Sequence, residues 1–340
     1  MFSFKNDYSE LAHPKVTERL LKHSHQQNDG YGEDMHSQEV TKIIHTYTSS
    51  PSAAVHLVSG GTQANIIGLS SMLKPYESVI ACTSGHISTH ESGAIEATGH
   101  KINEVPNANG KITVEQIDRV VKEHNMEHMV LPRAVFISQA TEFGSIYSKK
   151  ELTDISNFCK QNNLYLYLDG ARIGHALMSN DSDLTLEDIG SLTDMFYIGG
   201  TKNGALFGEA IVIPNTELQN NFRFIMKQRG GLLAKTHGIA LQFLALFEDD
   251  LYFQLAQYAN TSASKLADGI KAQGYDFFSQ SSTNQIFPIF PKTVIQELEK
   301  KFDFYLWENI DERTAAIRLV TSWATPESAV EEFLSVLKNL

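Results

Sequence analysis

Hydrophobic and polar positions alternate along this chain in blocks rather than residue by residue. Seven short apolar runs stand out: AAVHL at 53–57, SVIAC at 78–82, KINEV at 101–105, RAVFIS at 133–138, LYLYL at 164–168, MFYIG at 195–199 and EAIVI at 209–213. Most lack strict two-residue alternation, which is the pattern of strands covered on both faces. Helical stretches fall between them, and the pattern predicts helices over 62–73, 113–125 and 148–163. The last opens with Ser148 three residues ahead of Glu151, a capping-box signature. Strand and helix in turn, joined by crossovers of this length, predict an α/β fold: a mostly parallel seven-stranded sheet sandwiched by helices.

After about residue 240 the texture changes. One long helical stretch is expected over 238–272. Short strands follow at 275–278, 285–290 and 315–320, and then a final helix at 326–339 with Pro326 in its first turn. The division this implies is a large α/β domain over 14–240 and a smaller C-terminal α+β domain over 241–340, with the segment 1–13 packing across them.

Composition narrows the function. The chain has 340 residues, 42% of them hydrophobic, which is enough for a full core. Its 28 basic and 40 acidic residues give a net charge of −12, so a nucleic acid backbone would repel it. No apolar run approaches a membrane span. The opening MFSFKNDYSE has no cationic stretch leading into an apolar one, so no signal peptide is expected. Cys82 and Cys159 are the only cysteines and fit buried thiols in a reducing compartment, so the expected location is cytoplasmic. No metal-ligand spacing is evident.

Three motifs carry chemistry. In HLVSGGTQAN at 56–65 a strand ends, two glycines follow and a helix starts near Thr62. Free backbone N–H groups and the positive end of the helix make a plausible phosphate cup of Gly60, Gly61 and Thr62, with a tight strand–helix turn as the alternative. In LYLYLDGAR at 164–172, Asp169 closes an apolar strand at the edge where α/β sheets bind ligands. A helix cap with an internal pair to Arg172 would also explain it. In FYIGGTKNGALFGE at 196–209, Lys202 sits among small residues after another strand. It is either solvated or presented as a reactive amine whose pKa has been lowered. Taken together, a phosphate cup, an acid and a lysine 33 residues later, all at strand ends, describe a pyridoxal phosphate site. Asp169 would keep the pyridine nitrogen protonated, and Lys202 would condense with the aldehyde.

At this point the sequence resembles the threonine aldolase, or β-eliminating lyase, branch of the fold-type-I pyridoxal phosphate enzymes. The likeness rests on SGGTQAN 59–65, GHISTHESGAIEATGHK 85–101, YLDGARIG 167–174, GGTKNGALFGE 199–209, KQRGGLLAK 227–235 and IRLVTSWAT 317–325. FKNDYSELAHP 4–14 and GYGED 30–34 also fit. The resemblance implies that His86 stacks on the cofactor ring, and that Gly60, Gly61 and Thr62 hold its phosphate. It assigns Asp169 to the pyridine nitrogen and Lys202 to the covalent bond. Arg172 and Arg318 would grip the substrate carboxylate, with Asn6 where a serine often helps. Arg172 is also counted with the cofactor-binding residues. Tyr31 matches a position near the substrate and Arg229 one near the cofactor, with a neighbouring subunit as one source for them. A homodimer or homotetramer is therefore expected.

His90 and His100 have no counterpart role. His90 reads as an ordinary core histidine, with a shared helical face beside His86 as the alternative. One departure matters. Family aldolases often carry a second histidine near the β-hydroxyl, in a stretch E-N-T-H-N. Here the region is ISQATEFGSIYS at 137–148, with Thr141 or Glu142 at that place. The base for the hydroxyl proton is then open among His86, His90 and an ordered water. The expected reaction is retro-aldol cleavage of L-threonine or L-allo-threonine to glycine and acetaldehyde. The alternatives are β-elimination or transamination of another amino acid, or a non-catalytic protein that kept the fold.

Overall fold

The computed structural model describes residues 1–107 and 109–340. All seven apolar runs pair into one sheet: β1 Ala54–Val58, β2 Glu77–Cys82, β3 Ile102–Val105, β4 Leu131–Ser138, β5 Tyr165–Asp169, β6 Met195–Gly199 and β7 Glu209–Ile213. Their order is β1-β7-β6-β5-β4-β2-β3. β2 to β6 pair in parallel, and β7 runs antiparallel to its neighbours β1 and β6. Every residue of β2, β6 and β7 is buried, which is why these strands read as unbroken apolar runs.

Alternate residues of one strand serve two different cores. In β4, Val135 and Ile137 join one apolar cluster while Ala134 and Phe136 join the other. The pleat sends successive side chains to opposite faces, and helices cover both. Burying one such Val, Ile or Phe is worth about 1.5–3 kcal/mol.

The three predicted inter-strand helices are Gly61–Met72, Val114–Glu123 and Lys149–Gln161. Ser148 and Glu151 form a reciprocal capping box, as do Thr113 with Gln116 and Thr185 with Asp188. The expected single helix over 238–272 is instead two, His237–Phe247 and Leu251–Ala272. Asp249 and Asp250 break it, with φ of 52° and 57°. Aspartate is a poor helix former that tolerates this conformation, and Tyr47 Oη holds Asp250 Oδ1 at 2.5 Å.

Pro326 does not begin the last helix. It stands extended as the N-cap of Glu327–Lys338. The stretch 275–278 makes only one bridge, Phe277 to Pro288. The run 285–290 divides into Gln285–Ile286 and Ile289–Pro291, because Pro288 between them has no N–H to donate. Helices Pro14–Lys22 and Met35–Thr48 and the largely exposed strand Tyr305–Asn309 were not predicted.

The N-terminal segment crosses the molecule. Phe2–Ser3 pairs with Phe302–Asp303, and Phe4 is buried in a third apolar cluster with residues from Ala263 to Leu337. Val320 N–H donates to the Phe4 carbonyl at 2.8 Å, and His13 N–H donates to Gly204 at 2.9 Å. The segment thus ends beside the turn that carries Lys202.

Candidate active site

The carboxyl ends of β5 and β6 lie side by side. Gly199 N–H donates to the Gly170 carbonyl at 3.0 Å. A Cβ on Gly170 would stand 1.8 Å from the carbonyl oxygen of Tyr197, so only glycine permits this approach. Asp169 closes β5, and Lys202 lies in the turn that follows β6.

Asp169 is buried, and three donors reach its carboxylate, which leaves room for one more. Oδ1 accepts from Tyr197 Oη at 2.5 Å and from Ala171 N–H at 3.0 Å, and Oδ2 accepts from Asn65 Nδ2 at 3.0 Å. Asn65 Nδ2 also donates to Glu91 Oε1 at 2.8 Å, and the same oxygen pairs with His86 Nδ1 at 2.8 Å. A polar chain therefore runs Asp169–Asn65–Glu91–His86 through the interior. Burial pulls the His86 pKa down, but the Glu91 hydrogen bond and the Asp169 charge outweigh it, so the ring holds its proton above the ordinary range.

Lys202 is the opposite case. Burial and the Arg172 charge lower its pKa against the pull of Asp7, Asp169 and Glu209. Glu209, itself buried, accepts from Gly200 N–H at 2.8 Å and is pushed up to about 7 by desolvation. Lys202 opens into a cavity of about 490 Å³ that His86, His90, Glu142, Arg172 and Arg318 also line. Tyr305, Leu306 and Trp307 form one wall. A second hollow of about 340 Å³ contains hydroxyls, amides, Asp181 and Asp268 but no lysine, histidine or arginine among the described residues, so no comparable chemistry converges there.

The two arginines differ. Arg318 lies over the rings of Tyr305 and Trp307, at 5.1 and 5.3 Å, and its buried Nε has no partner. Its Nη2 donates to the Lys5 carbonyl at 3.3 Å, which leaves Nε to receive an anion. Arg172 is not equally free. Its Nε and Nη2 donate to Asp7 Oδ2 and Oδ1 at 2.7 and 3.1 Å, and Asn284 Nδ2 donates to the same carboxylate at 2.8 Å. The forked edge expected to grip substrate is thus occupied within the chain, since a buried guanidinium needs a partner.

Other expected residues fall apart from this group. Asn6 Oδ1 accepts from Tyr8 N–H and Ser9 Oγ, both at 3.0 Å, in its own turn, and Asn6 does not line the cavity. Tyr31 lies beneath Lys227, 4.7 Å from Nζ, in a separate surface hollow with Arg223. Arg229 caps the helix Phe222–Gln228 and does not line the cavity either. His90 is not a core histidine. It is exposed at the cavity, its ring 5.5 Å from that of His86. His100 is buried elsewhere, bonded to Thr98 Oγ1 at 2.7 Å.

Four participants were not singled out by sequence: Asp7, Asn65, Glu91 and Tyr197. Asn65 lay inside the quoted SGGTQAN and Glu91 inside GHISTHESGAIEATGHK, so the motifs contained them without showing their partners. Asp7 lay likewise inside FKNDYSELAHP and Tyr197 inside FYIGGTKNGALFGE, but their partners are 165 and 28 residues away and left no mark in the motif.

The residues fit pyridoxal phosphate. Gly60, at the start of the helix Gly61–Met72, has extended φ of 179°, and a Cβ there would meet nothing within 4 Å. Neither backbone conformation nor packing within the chain calls for glycine there, whereas a ligand approaching the helix N-terminus would. The depressed Lys202 amine and the buried Asp169 carboxylate have the chemistry the aldehyde and the pyridine nitrogen require.

This fold and site define a fold-type-I pyridoxal phosphate enzyme. Residues 12–292 match the beta-eliminating lyase family. A low specificity L-threonine aldolase of Pseudomonas sp. is 30% identical over 98% of this chain and 96% of its own. The solved structure of Leishmania major threonine aldolase superposes with a TM-score of 0.98 at 47% identity, covering 100% of this chain and 99% of that one. Thermus thermophilus aspartate aminotransferase shares the fold, with a TM-score of 0.74 at 14% identity over 100% and 91% of the two chains. The chain belongs to the beta-eliminating lyase family.

Proposed function

We propose that this protein is an aldehyde-lyase that cleaves L-threonine and L-allo-threonine to glycine and acetaldehyde with pyridoxal phosphate. The observation that carries this reading is the convergence of Lys202, His86 and Arg318 on one cavity, with Asp169 linked to His86 through Asn65 and Glu91. The threonine aldolase names of the Pseudomonas and Leishmania relatives support the substrate.

Gly60, Gly61 and Thr62 would hold the phosphate at the helix N-terminus, Asp169 the pyridine nitrogen and Lys202 Nζ the aldehyde carbon. His86 would lie against the ring, fixed by Glu91. When bound, the cofactor supplies an electron sink for the bond broken at the substrate Cα. Arg318 receives the substrate carboxylate and so orients Cα. Arg172, fixed by Asp7, adds positive charge that keeps the Lys202 amine reactive. Tyr305 and Trp307 border the cavity on the side that Arg318 lies over.

The same reading keeps a large unit over 14–240 and a smaller one over 241–340, supported by the separate apolar cluster of Phe4 with Ala263–Leu337, while Phe243–Leu255 pack with the core of the large unit. It also keeps a homodimer or homotetramer, supported by the exposed Phe224, next in sequence to Arg223 of the Tyr31 hollow, and a cytoplasmic location, supported by two free buried cysteines. No helix among the described residues is long and apolar enough to cross a membrane.

The test is purified protein loaded with pyridoxal phosphate and given L-allo-threonine, L-threonine, L-serine and a panel of amino acids. Equimolar glycine and acetaldehyde are expected from the β-hydroxy substrates. Keto acid or ammonia without aldehyde would refute the reading in favour of transamination or β-elimination.

A further inference from the structure

The cavity contains one carboxylate. Among its lining residues Glu142 is the only acid, and it sits with Lys202, His86, His90 and Arg318. It is held in a defined pose: Oε1 accepts from the His86 backbone N–H at 3.0 Å and from Ser138 Oγ at 2.9 Å. Oε2 is buried and has no donor. A carboxylate anchored at one oxygen and unsatisfied at the other has a higher than usual demand for a proton.

The other candidates for a base in this cavity are weaker. His86 has Nδ1 committed to Glu91 and is biased toward its protonated form. His90 stands at the cavity mouth, and partial desolvation together with the charges of His86, Arg318 and Lys202 lowers its proton affinity. Lys202 is reserved for the cofactor, and the two arginines are permanently charged. Gln285, Leu306 and Trp307 carry no ionisable base.

We propose that Glu142 is the general base that takes the β-hydroxyl proton of the substrate. This rests on the aldehyde-lyase reading above. The O–H bond of the β-hydroxyl breaks and its proton passes to the Glu142 carboxylate. The O–H electron pair forms the C=O bond of the departing aldehyde. The Cα–Cβ bond breaks with its pair remaining on Cα, which takes up a proton to become glycine. No oxidant or reductant is needed.

Burial raises the Glu142 pKa above the ordinary carboxylate value, which strengthens it as a base. The titratable and charged groups around it act in both directions. Asp169 raises its proton affinity and His86 lowers it. Arg172, Cys82 and Tyr147 also lie within its field.

The test uses the loaded enzyme and two reactions. Cleavage of L-allo-threonine needs a base at the β-hydroxyl. Exchange of the glycine Cα proton with solvent deuterium, followed by NMR, uses the same cofactor and lysine but has no hydroxyl. In Glu142→Gln, cleavage is expected to fall by about 10²–10⁴-fold while glycine exchange falls less than about tenfold. The near-visible absorbance change on adding glycine should persist. Ser138→Ala, which keeps the carboxylate but removes one anchoring donor, should lower cleavage more than exchange. Cleavage within about threefold of wild type in Glu142→Gln overturns the proposal, and so does an equal fall of both reactions in both variants. A wild-type protein that exchanges glycine but releases no aldehyde would sink the aldehyde-lyase reading instead.

Discussion

Replacing Asp7 by alanine tests the most buried ion pair among the described residues. Asp7 is 0% exposed, and the Arg172 side chain is 12% exposed. Their two hydrogen bonds, at 2.7 and 3.1 Å, join the N-terminal segment to the turn after β5, and Asn284 ties in the C-terminal portion. Removing one member of a buried pair strands the other charge and costs about 3–5 kcal/mol. Unfolding entropy near 2.1 cal/mol/K per residue gives about 0.7 kcal/mol/K for 340 residues, so Tm should fall by about 4–7 °C. Melts by circular dichroism on stripped and loaded protein would measure it, because cofactor binding itself shifts apparent stability. Burial opposes ionisation of Asp7, but Arg172 and Lys202 prevail and hold its carboxyl well below the usual range. A depressed acid contributes its stability above the unfolded value, near pH 4, and loses it as pH falls through the folded one. The gap between wild type and Asp7→Ala should therefore be full at pH 7 and close only in strong acid. A Tm change below about 1 °C at pH 7 would refute the reasoning. So would strict additivity of Asp7→Ala and Arg172→Ala in the double variant, since residues in direct contact should couple.

Three further outcomes are expected. Lys202→Ala should bring turnover to background in an aldehyde-release assay while leaving the fold intact by circular dichroism, and retained turnover would remove the amine from its assigned role. Gly60→Ala places a methyl in open space, so the stripped protein should melt unchanged while pyridoxal phosphate affinity, measured by fluorescence titration, weakens about tenfold or more. Unchanged affinity would move the phosphate elsewhere. Burial pushes the Cys159 thiol up to about 12, leaving about one in ten thousand ionised at pH 8, so a disulfide reagent should label it only after denaturation. Rapid labelling of Cys159 in the native protein would contradict its buried position.

The large fold was legible because burial on two faces leaves a plain mark. All seven strands came from apolar runs, and the helix starts at Thr113 and Ser148 obey local capping chemistry. What escaped was exposed or broken: Tyr305–Asn309 has too little buried surface to form an apolar run, and the Asp249–Asp250 break interrupts a stretch that is otherwise helical. The site was legible in its reactive groups. Asp169 ends a strand, Gly60 opens a helix and Lys202 lies in the turn just after a strand, and that local setting is visible in order along the chain. Their partners were not. Asp7 occupies the edge of Arg172 expected for substrate, and His90 turned out exposed rather than buried, because neither fact depends on residues nearby in sequence.

The division has a physical origin. Sequence alone determined which segments would bury, where strands would stop, and which side chains could offer an amine, an acid or a phosphate cup, since these follow from local pattern and residue type. Tertiary structure decided which charges are already paired and which remain available. The Asp169–Asn65–Glu91–His86 chain, the Asp7–Arg172 fork and the half-satisfied carboxylate of Glu142 all arise where segments distant in sequence meet in a low-dielectric interior, and there each polar group must take whatever partner the fold brings within reach.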